Sequence, residues 1–367
     1  MTTPLRLLAC CLLFVSGLAA QSSDSSQAPG RWKYLLLADF YYAYDFGQPS
    51  SLFRQEAFCS YNRHNLPSLN TGVAKISYQA PRFRFHLGAL GGTYSSDNYA
   101  AEPGLLKHLF EGQIALKLAA KKDIWLHLGA FPSHIGFESA LATDNHTLSR
   151  SLLAENSPYF LSGAQVRYNH PQNWQFALLL LNGWQRLRWR NDQRIPSLGT
   201  QIAKQNDRWQ WNWSSFTGMF DPDSLQLWRS FHNFYLIYQP QTNIWLTFGF
   251  DVGWQQQINR WASWYSPVII ARYQANNLWA IAGRAEYYHD PQAAHLRFSS
   301  PGGFRAWGYS VNADRKVGKA GLCRAEVRYL SSPNSALNPQ TNNPRQNLSA
   351  MLSLVIRLED ELRLRSN

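Results

Sequence analysis

The sequence predicts an all-β protein, a transmembrane antiparallel β-barrel of about 16 strands, on three observations. Short segments in which apolar and polar residues alternate recur from residue 33 to residue 358. The gaps between these segments are alternately tight and long, as expected for short periplasmic turns and long extracellular loops. Aromatic residues make up 14% of the 367 residues, yet the chain after its N-terminus lacks the run of about 20 apolar residues that a membrane-spanning helix needs.

The first 20 residues predict a secretory signal peptide, because a single basic residue, Arg6, precedes an apolar stretch that ends in Ala19 and Ala20. The Ser-rich segment that follows lacks the apolar residues that a folded core needs. An exported barrel of this pattern is expected in the bacterial outer membrane. The predicted organisation is a signal peptide at 1–20, a disordered lead-in at 21–32, the barrel at 33–358 and a polar C-terminal tail at 359–367.

The strands are predicted from a period of two in hydrophobicity. In the segment Ile244–Trp254 every even-numbered position is apolar, whereas the odd-numbered positions include Thr247, Gly249 and Asp251. Successive strand side chains point to opposite faces, so one face of this segment suits lipid and the other suits water. The strands are predicted at 33–45, 69–78, 82–94, 109–119, 123–131, 160–169, 174–182, 197–204, 208–219, 227–238, 244–255, 264–273, 278–288, 303–314, 322–330 and 347–358.

The connections fall into two kinds. The tight ones contain Pro, Asn, Asp, Gly or Lys, as hairpin turns do, and lie at 79–81, 120–122, 170–173, 205–207, 239–243, 274–277 and 316–321. The long ones lie at 46–68, 95–108, 132–159, 183–196, 220–226, 256–263, 289–302 and 331–346. An even number of strands places both termini on the periplasmic side, in agreement with an exported N-terminus.

The longest connection, 132–159, is the only one long enough to fold back into the lumen and narrow a pore. It also contains the best helical segment of the chain, Leu148–Glu155. The sequence leaves open whether this connection enters the barrel or remains an ordinary outer loop.

The charged residues of the strands are expected to face the lumen, because charge on the lipid face is costly near the midplane. The candidate pore-lining residues are Lys75, Arg84, Glu111, Lys117, Arg167, Asp251, Arg284, Glu286, Arg324, Glu326, Arg328 and Arg357. They could form a salt-bridge lattice that holds the barrel round, or line the pore and tune its selectivity. Cations outnumber anions among them, which predicts a modest anion preference.

The formal net charge of +12 could alternatively serve binding to anionic lipopolysaccharide at the outer rim. Nucleic-acid binding is disfavoured, because the basic residues are spread over the strands and do not cluster on one element. Trp and Tyr are frequent at strand ends, where they are more typical of interfacial anchors than of a track for sugars.

No enzyme, cofactor or metal site is predicted. The phosphate-binding, zinc-protease and serine-hydrolase motifs are missing, and His134 and His146 share the longest loop without a recognisable triad. Apart from two cysteines in the signal peptide, only Cys59 and Cys323 remain. They are expected near opposite rims, so a disulfide between them is not predicted.

Several long motifs add a resemblance to a known family: YYAYDF from Tyr41, SYNRHN from Ser60, GTYSSDNYAAEPGLL from Gly92, PSHIGFESA from Pro132, SLLAENSPY from Ser151, LNGWQR from Leu181, WYSPVIIARY from Trp264 and AEYY from Ala285. With these the chain resembles the OmpL-like outer-membrane β-barrel porin family that is common in Bacteroidetes. The resemblance implies an outer-membrane porin without naming a solute. It implies that motif residues of the first three outer loops shape the pore mouth or constriction, or else pack loop against loop. These motif residues are Arg63, Glu102, Glu138, Arg150 and Glu155. His134 of the longest loop is a further candidate for the constriction.

One departure concerns the C-terminus. Barrels of this kind usually end in an aromatic residue that assists the barrel-assembly machinery, whereas this chain ends in the polar stretch 359–367. We therefore expect that the assembly machinery recognises an internal signal in this barrel, or that the C-terminus of this chain differs from that of its relatives.

The leading interpretation is a porin for passive diffusion of small hydrophilic solutes. The first alternative is a non-conducting barrel, blocked by the loop at 132–159, that acts through its outer loops as an adhesin or receptor. The second is a soluble secreted β-domain. The expected partners are outer-membrane lipid and lipopolysaccharide, the barrel-assembly machinery and the solutes. Trimers are common among 16-stranded general porins, and the sequence leaves the oligomeric state open.

Overall fold

Sixteen antiparallel strands close into one barrel in the computed structural model, in which each strand pairs with its neighbours in the chain and β1 pairs with β16. The structure describes residues 30–54, 57–189, 193, 195–220, 227–296, 302–333, 337 and 344–362. The strands are β1 Arg31–Asp45, β2 Ser68–Gln79, β3 Phe83–Gly91, β4 Leu109–Lys117, β5 Asp123–Pro132, β6 Phe160–Asn169, β7 Trp174–Leu181, β8 Ser197–Gln205, β9 Trp209–Met219, β10 Trp228–Gln241, β11 Ile244–Gln257, β12 Arg260–Gln274, β13 Trp279–Asp290, β14 Phe304–Val317, β15 Gly321–Ser331 and β16 Gln346–Leu362.

The predicted all-β barrel of 16 strands is therefore confirmed. The alternation of faces is visible in β11, where Phe248 and Phe250 are about 40% exposed and Thr247 and Asp251 are buried. Other strands present exposed apolar residues on the same outer face, among them Leu36, Leu87, Ile114, Val166, Leu178, Leu198, Phe234, Ile269, Ile281, Val311, Val327 and Leu352. This outer band suits lipid, while the buried polar residues face inward.

Two connections differ from the prediction. The long loop predicted at 256–263 is wrong, because β11 continues to Gln257 and β12 already begins at Arg260, with Gln257 paired to Arg260. The polar ends of these strands extend the hairpin past the apolar band. Strand β3 ends at Gly91, and a short helix, α1 (Thr93–Asn98), replaces its predicted last residues.

The barrel also extends past both predicted ends. Strand β16 runs to Leu362, so Glu359–Leu362 belong to the strand and not to a polar tail, and β1 begins at Arg31. Glu361 lies 3.6 Å from Lys33 and 3.8 Å from Arg31. These exposed charged residues can occupy strand positions because they lie at the end of the barrel with the tight turns, outside the lipid-facing band. The predicted signal peptide and residues 363–367 lie outside the described residues.

The elements other than strands are short. A second helix, α2, covers Leu152–Glu155, and 3₁₀ turns cover Gly104–His108 and Ala142–Asp144. Within the described ranges, none of the helices has the length and apolar character needed to cross a membrane.

Candidate functional site

The connection between β5 and β6, residues 133–159, lies inside the barrel and is called here the inserted loop. Its two ends meet where the backbone N–H of Ser133 donates to the carbonyl of Tyr159 at 3.0 Å. Between these ends the loop contacts the inner faces of strands on the opposite side of the barrel: the Gly136 N–H donates to Asn233 of β10 at 3.0 Å, and the Leu148 N–H donates to Asn312 of β14 at 2.9 Å. Of the two alternatives that the sequence left open, the loop follows the inward one.

The helix α2 lies within the inserted loop. It is stabilised because the loop and the wall both accept hydrogen bonds from the free N–H groups at its N-terminus. Ser151 caps it by accepting a hydrogen bond from the Ala154 N–H at 3.2 Å. The free N–H of Leu152 donates to a carboxylate oxygen of Glu286 on β13 at 2.6 Å. A carboxylate at a helix N-terminus is electrostatically favourable, so this contact fixes the helix to the wall.

Four charged residues behind α2 form a buried network. The guanidinium of Arg284 lies 2.9 Å from Glu326 and 3.3 Å from Glu286, and Arg328 lies 2.6 Å from Glu286. All four side chains are at most 1% exposed. Ser149 of the inserted loop joins the network through its N–H, which donates to Glu326 at 2.8 Å. The positive and negative charges balance, as charges removed from water must.

A second group fixes the middle of the loop. Asp314 of β14 accepts hydrogen bonds from Arg324 at 2.8 Å and from Arg272 at 2.6 Å. The same two guanidiniums donate to loop carbonyls: Arg324 to Ala142 at 2.6 Å and Arg272 to His146 at 3.0 Å. Asp314 and Arg272 were missed by the sequence analysis, although their inward position in the alternation could have identified them.

The candidate pore-lining residues thus fall into two groups. Arg284, Glu286, Arg324, Glu326 and Arg328 lie between the wall and the inserted loop, and Asp251 is buried beside Asn233 at 2.5 Å. The others lie on less covered parts of the wall. Lys75 pairs with Glu111, Lys117 lies 3.8 Å from Asp123, Arg84 stacks on Trp125, Arg167 donates to Gln165, and Arg357 contacts Asp144 and Glu359.

Except for Glu138, whose partner Ser151 lies in the same inserted loop, the candidate constriction residues take part in contacts between loops or between loop and wall. Arg63 forms a bidentate pair with Asp97 at 2.7 and 3.0 Å, Glu102 accepts from the Leu187 N–H, His134 contacts the Ser215 carbonyl, and Glu138 accepts from Ser151. Arg150 donates to the Ala140 carbonyl at 2.6 Å. It also lies 5.3–5.6 Å from the ring centres of Tyr61, Tyr94 and Tyr159, which belong to three different loops. These contacts join the first three outer loops into one unit.

Glu155 links the inserted loop to the first outer loop, because one of its oxygens accepts from the N–H groups of Cys59 at 2.8 Å and Ser60 at 3.1 Å. Burial, together with the negative charge of Glu155, raises the pKa of the Cys59 thiol to about 12. A free cysteine has a pKa of about 8.5. At about pH 8 the fraction of Cys59 present as thiolate is therefore roughly 2,000-fold lower than the thiolate fraction of a free cysteine.

We therefore expect Cys59 to react with a maleimide roughly 2,000-fold more slowly than a free thiol at about pH 8. The rate is measured by mass spectrometry on the folded barrel carrying Cys323→Ser. The same protein unfolded in urea serves as the control and should react at the free-thiol rate. Rapid labelling of the folded protein would show that Glu155 does not hold the two loops together.

The inserted loop leaves space beside strands β1 to β4. A cavity of about 340 Å³ lies between the loop and the wall, lined among others by Phe110, Glu111, Phe137 and Tyr159. A second cavity of about 510 Å³ shares Leu35, Lys75 and Leu141 with the first and extends to Arg357 and Glu361 at the end with the tight turns. The two adjoining cavities trace a path from the inserted loop to that end of the barrel.

Comparisons with known proteins agree with this architecture. A family model described as "Putative beta-barrel porin-2, OmpL-like" matches residues 36–358. No curated protein matches the sequence.

Solved outer-membrane proteins have the same fold at very low sequence identity. An anion-selective porin from Comamonas acidovorans has a TM-score of 0.58 at 9% identity, covering 90% of this chain and 100% of that one. The trimer form of OmpT from Vibrio cholerae has a TM-score of 0.58 at 7% identity, with the same coverage. The outer-membrane channel DcaP of Acinetobacter baumannii has a TM-score of 0.56 at 9% identity, covering 92% and 100%.

Proposed function

The chain belongs to the OmpL-like beta-barrel porin-2 family of outer-membrane barrels, and from this premise we propose that it conducts small hydrophilic solutes by passive diffusion, with a modest preference for anions. The observation that carries the proposal is the pair of adjoining cavities beside the inserted loop. A barrel of this strand number is wide enough to enclose an aqueous channel, and the loop narrows it without filling that side. An outer-membrane location and the apolar outer band leave no support for a soluble β-domain.

The anion preference is supported by the charges that remain accessible on the wall. The buried network of Arg284, Glu286, Glu326 and Arg328 is internally balanced and lies behind the loop. On the less covered wall, Lys75 and Lys117 each have one carboxylate partner, whereas Arg84 and Arg167 have no ion pair among the described residues. Arg84 and Arg167 therefore give the wall of β3 to β6 a surplus of positive charge, whereas the two cavities themselves are lined by more carboxylates than basic groups.

The orientation of the path in the membrane follows from the same proposal. Tight turns of outer-membrane barrels face the periplasm, so the path would lead from the inserted loop to a periplasmic mouth near Arg357 and Glu361. Residues 1–20 would direct export and be removed. Trimer formation is supported by the trimeric form of the structural relative OmpT. Lipopolysaccharide and the barrel-assembly machinery are the proposed partners at the outer rim and during insertion.

Planar-bilayer recording with purified protein tests this proposal. In a potassium chloride gradient, we expect discrete conductance steps and a reversal potential of the sign for chloride permeation. The gradient is reversed across the same membrane as an internal control. A folded, inserted barrel without conductance would refute the channel, and a reversal potential of the sign for potassium would refute only the anion preference.

A second function, a non-conducting adhesin or receptor, is favoured by the number of contacts that hold the inserted loop across the lumen. In that case the wild-type barrel conducts nothing, and the outer loops that Arg150 and Arg63 join form the binding surface. Removal of the inserted loop separates the two functions, as described in the Discussion.

A further inference from the structure

The inner wall of β3 to β6, near the end with the tight turns, carries two arginines, Arg84 and Arg167, that form no ion pair with a carboxylate among the described residues. Asp123, whose charge acts on Arg84, has its closest partners elsewhere. One oxygen of Asp123 accepts from the Trp125 indole N–H at 2.7 Å and also lies 3.8 Å from the Lys117 ammonium group. The other oxygen accepts from Asn169 at 2.7 Å. Both oxygens of Asp123 therefore already have donors, and neither forms an ion pair or hydrogen bond with Arg84 in the described structure.

The second carboxylate of this wall, Glu111, is occupied in the same way. One of its oxygens accepts from the Gln113 amide at 2.6 Å, and the other pairs with the Lys75 ammonium group. Because the Gln113 amide nitrogen donates to Glu111, its oxygen acts as an acceptor for the Nδ1–H of His127, at 2.9 Å. The Nε2 of His127 is buried and has no hydrogen-bond partner among the described residues.

Arg84 and Arg167 lie on either side of Trp125 on this wall. The guanidinium of Arg84 has crossed β4 and lies 3.7 Å from the centre of the Trp125 ring. Arg167 is the residue directly opposite Trp125 in the pairing of β5 with β6. Directly opposite residues of an antiparallel pair have Cβ atoms about 5 Å apart. Both arginines therefore lie beside the same tryptophan, within electrostatic range of each other.

Neither arginine has a carboxylate within ion-pair distance in the described part of the chain. Arg167 donates to the neutral Gln165 amide at 3.2 Å, and its buried Nε has no hydrogen-bond partner among the described residues. Arg84 stacks on the ring of Trp125 and interacts with Asp123 only at longer range. Two half-buried guanidiniums without an ion-pair partner repel each other, and an anion bound to both would offset that repulsion.

We infer that Arg84 and Arg167, on the wall beside Trp125, form a binding site for an oxyanion, the phosphate or carboxylate group of a small solute. A guanidinium presents N–H donors in a planar fork that matches two oxygens of such a group. The Nε2 of His127 is an acceptor when Nδ1–H donates to Gln113, so it would accept from a hydroxyl group of the same solute and not from the oxyanion itself. The site rests on the proposed function in one respect: solutes must be able to reach the lumen.

Isothermal titration of the purified, detergent-solubilised barrel tests the site, with inorganic phosphate and acetate as separate probes. Wild-type protein is expected to bind at least one of them saturably, and Arg84→Gln/Arg167→Gln to bind it at least about tenfold more weakly, since charged hydrogen bonds are lost. Lys204→Gln is the matched control, because this cation stacks on Trp174 on the outer face, at 4.6 Å. Its affinity should equal that of the wild type.

Conductance of the same preparations in potassium chloride distinguishes two kinds of failure. A barrel that conducts chloride but binds neither probe, or that binds them equally well in the double variant, overturns the oxyanion site and leaves the porin intact. A barrel that binds a probe through the two arginines but conducts no ions retains the site and refutes the porin. A single Arg167→Gln variant, which keeps the stacked Arg84, should show an intermediate affinity and guards against misfolding of the double variant.

Discussion

Replacement of residues 134–158 by a short Gly-Ser linker is expected to raise the single-channel conductance several-fold. The inserted loop occupies the lumen from β10 on one side to β14 and β15 on the other. Its two ends are already hydrogen-bonded to each other at Ser133 and Tyr159, so a short linker can join β5 to β6 without strain on the barrel. The measurement is single-channel recording in planar bilayers.

The control is a variant shortened at 103–107, in a different outer loop whose Leu105 is 87% exposed. Its conductance should equal that of the wild type. Heat-modifiable mobility in gels establishes that each variant is folded. If the wild type is silent and the loop deletion opens it, the non-conducting alternative is correct. If deletion leaves an existing conductance unchanged, the inserted loop is not the constriction.

Arg284→Met is expected to lower the free energy of unfolding by about 3–5 kcal/mol, the usual cost of leaving a buried charge unpaired. Arg284 is fully buried and is the guanidinium that pairs with Glu326 at 2.9 Å. It also donates to the Ser149 carbonyl of the inserted loop at 2.7 Å, so the loop loses an anchor as well. The measurement is equilibrium urea unfolding in lipid vesicles.

Two further variants isolate the cause. Arg284→Met/Glu326→Gln removes both charges and should recover part of the loss, because no uncompensated carboxylate remains. Arg315→Gln removes an exposed guanidinium that stacks on Trp279 at 5.3 Å and should have a much smaller effect. Equal losses for Arg284→Met and Arg315→Gln would contradict the view that the network is desolvated.

The strands could be predicted from the sequence because their signal is local. Alternation within about ten residues identifies a strand and its two faces, and the outer-membrane pattern then supplies the turn and loop ends. The predicted strand ends were wrong where the strands extend beyond the lipid, because outward-facing side chains there need not be apolar. The polar strand ends at Gln257, Arg260 and Glu361 lie past the apolar band, so alternation there carries no hydrophobic signal.

The candidate site could be predicted only in part. Inward-facing charges such as Arg284 and Glu326 follow from the alternation, but their partners in the inserted loop do not. The Leu148 N–H and Asn312 are separated by 164 residues, and no sequence pattern links them. That Arg84 forms no direct ion pair is likewise invisible in the sequence, since Asp123 acts on it from the same wall and only the structure shows that the closest partners of Asp123 are Trp125 and Asn169.

The position of the anchors also determines the order in which the molecule can be assembled. The inserted loop leaves the chain between β5 and β6, yet its carboxylate and guanidinium partners Glu286, Arg324 and Glu326 belong to β13 and β15. During insertion the loop can contact the earlier strands and outer loops, but it lacks these charged partners until the late strands have joined the sheet. Final docking of the loop therefore cannot precede the addition of β15, so the growing sheet passes through a stage in which these anchors are not yet formed.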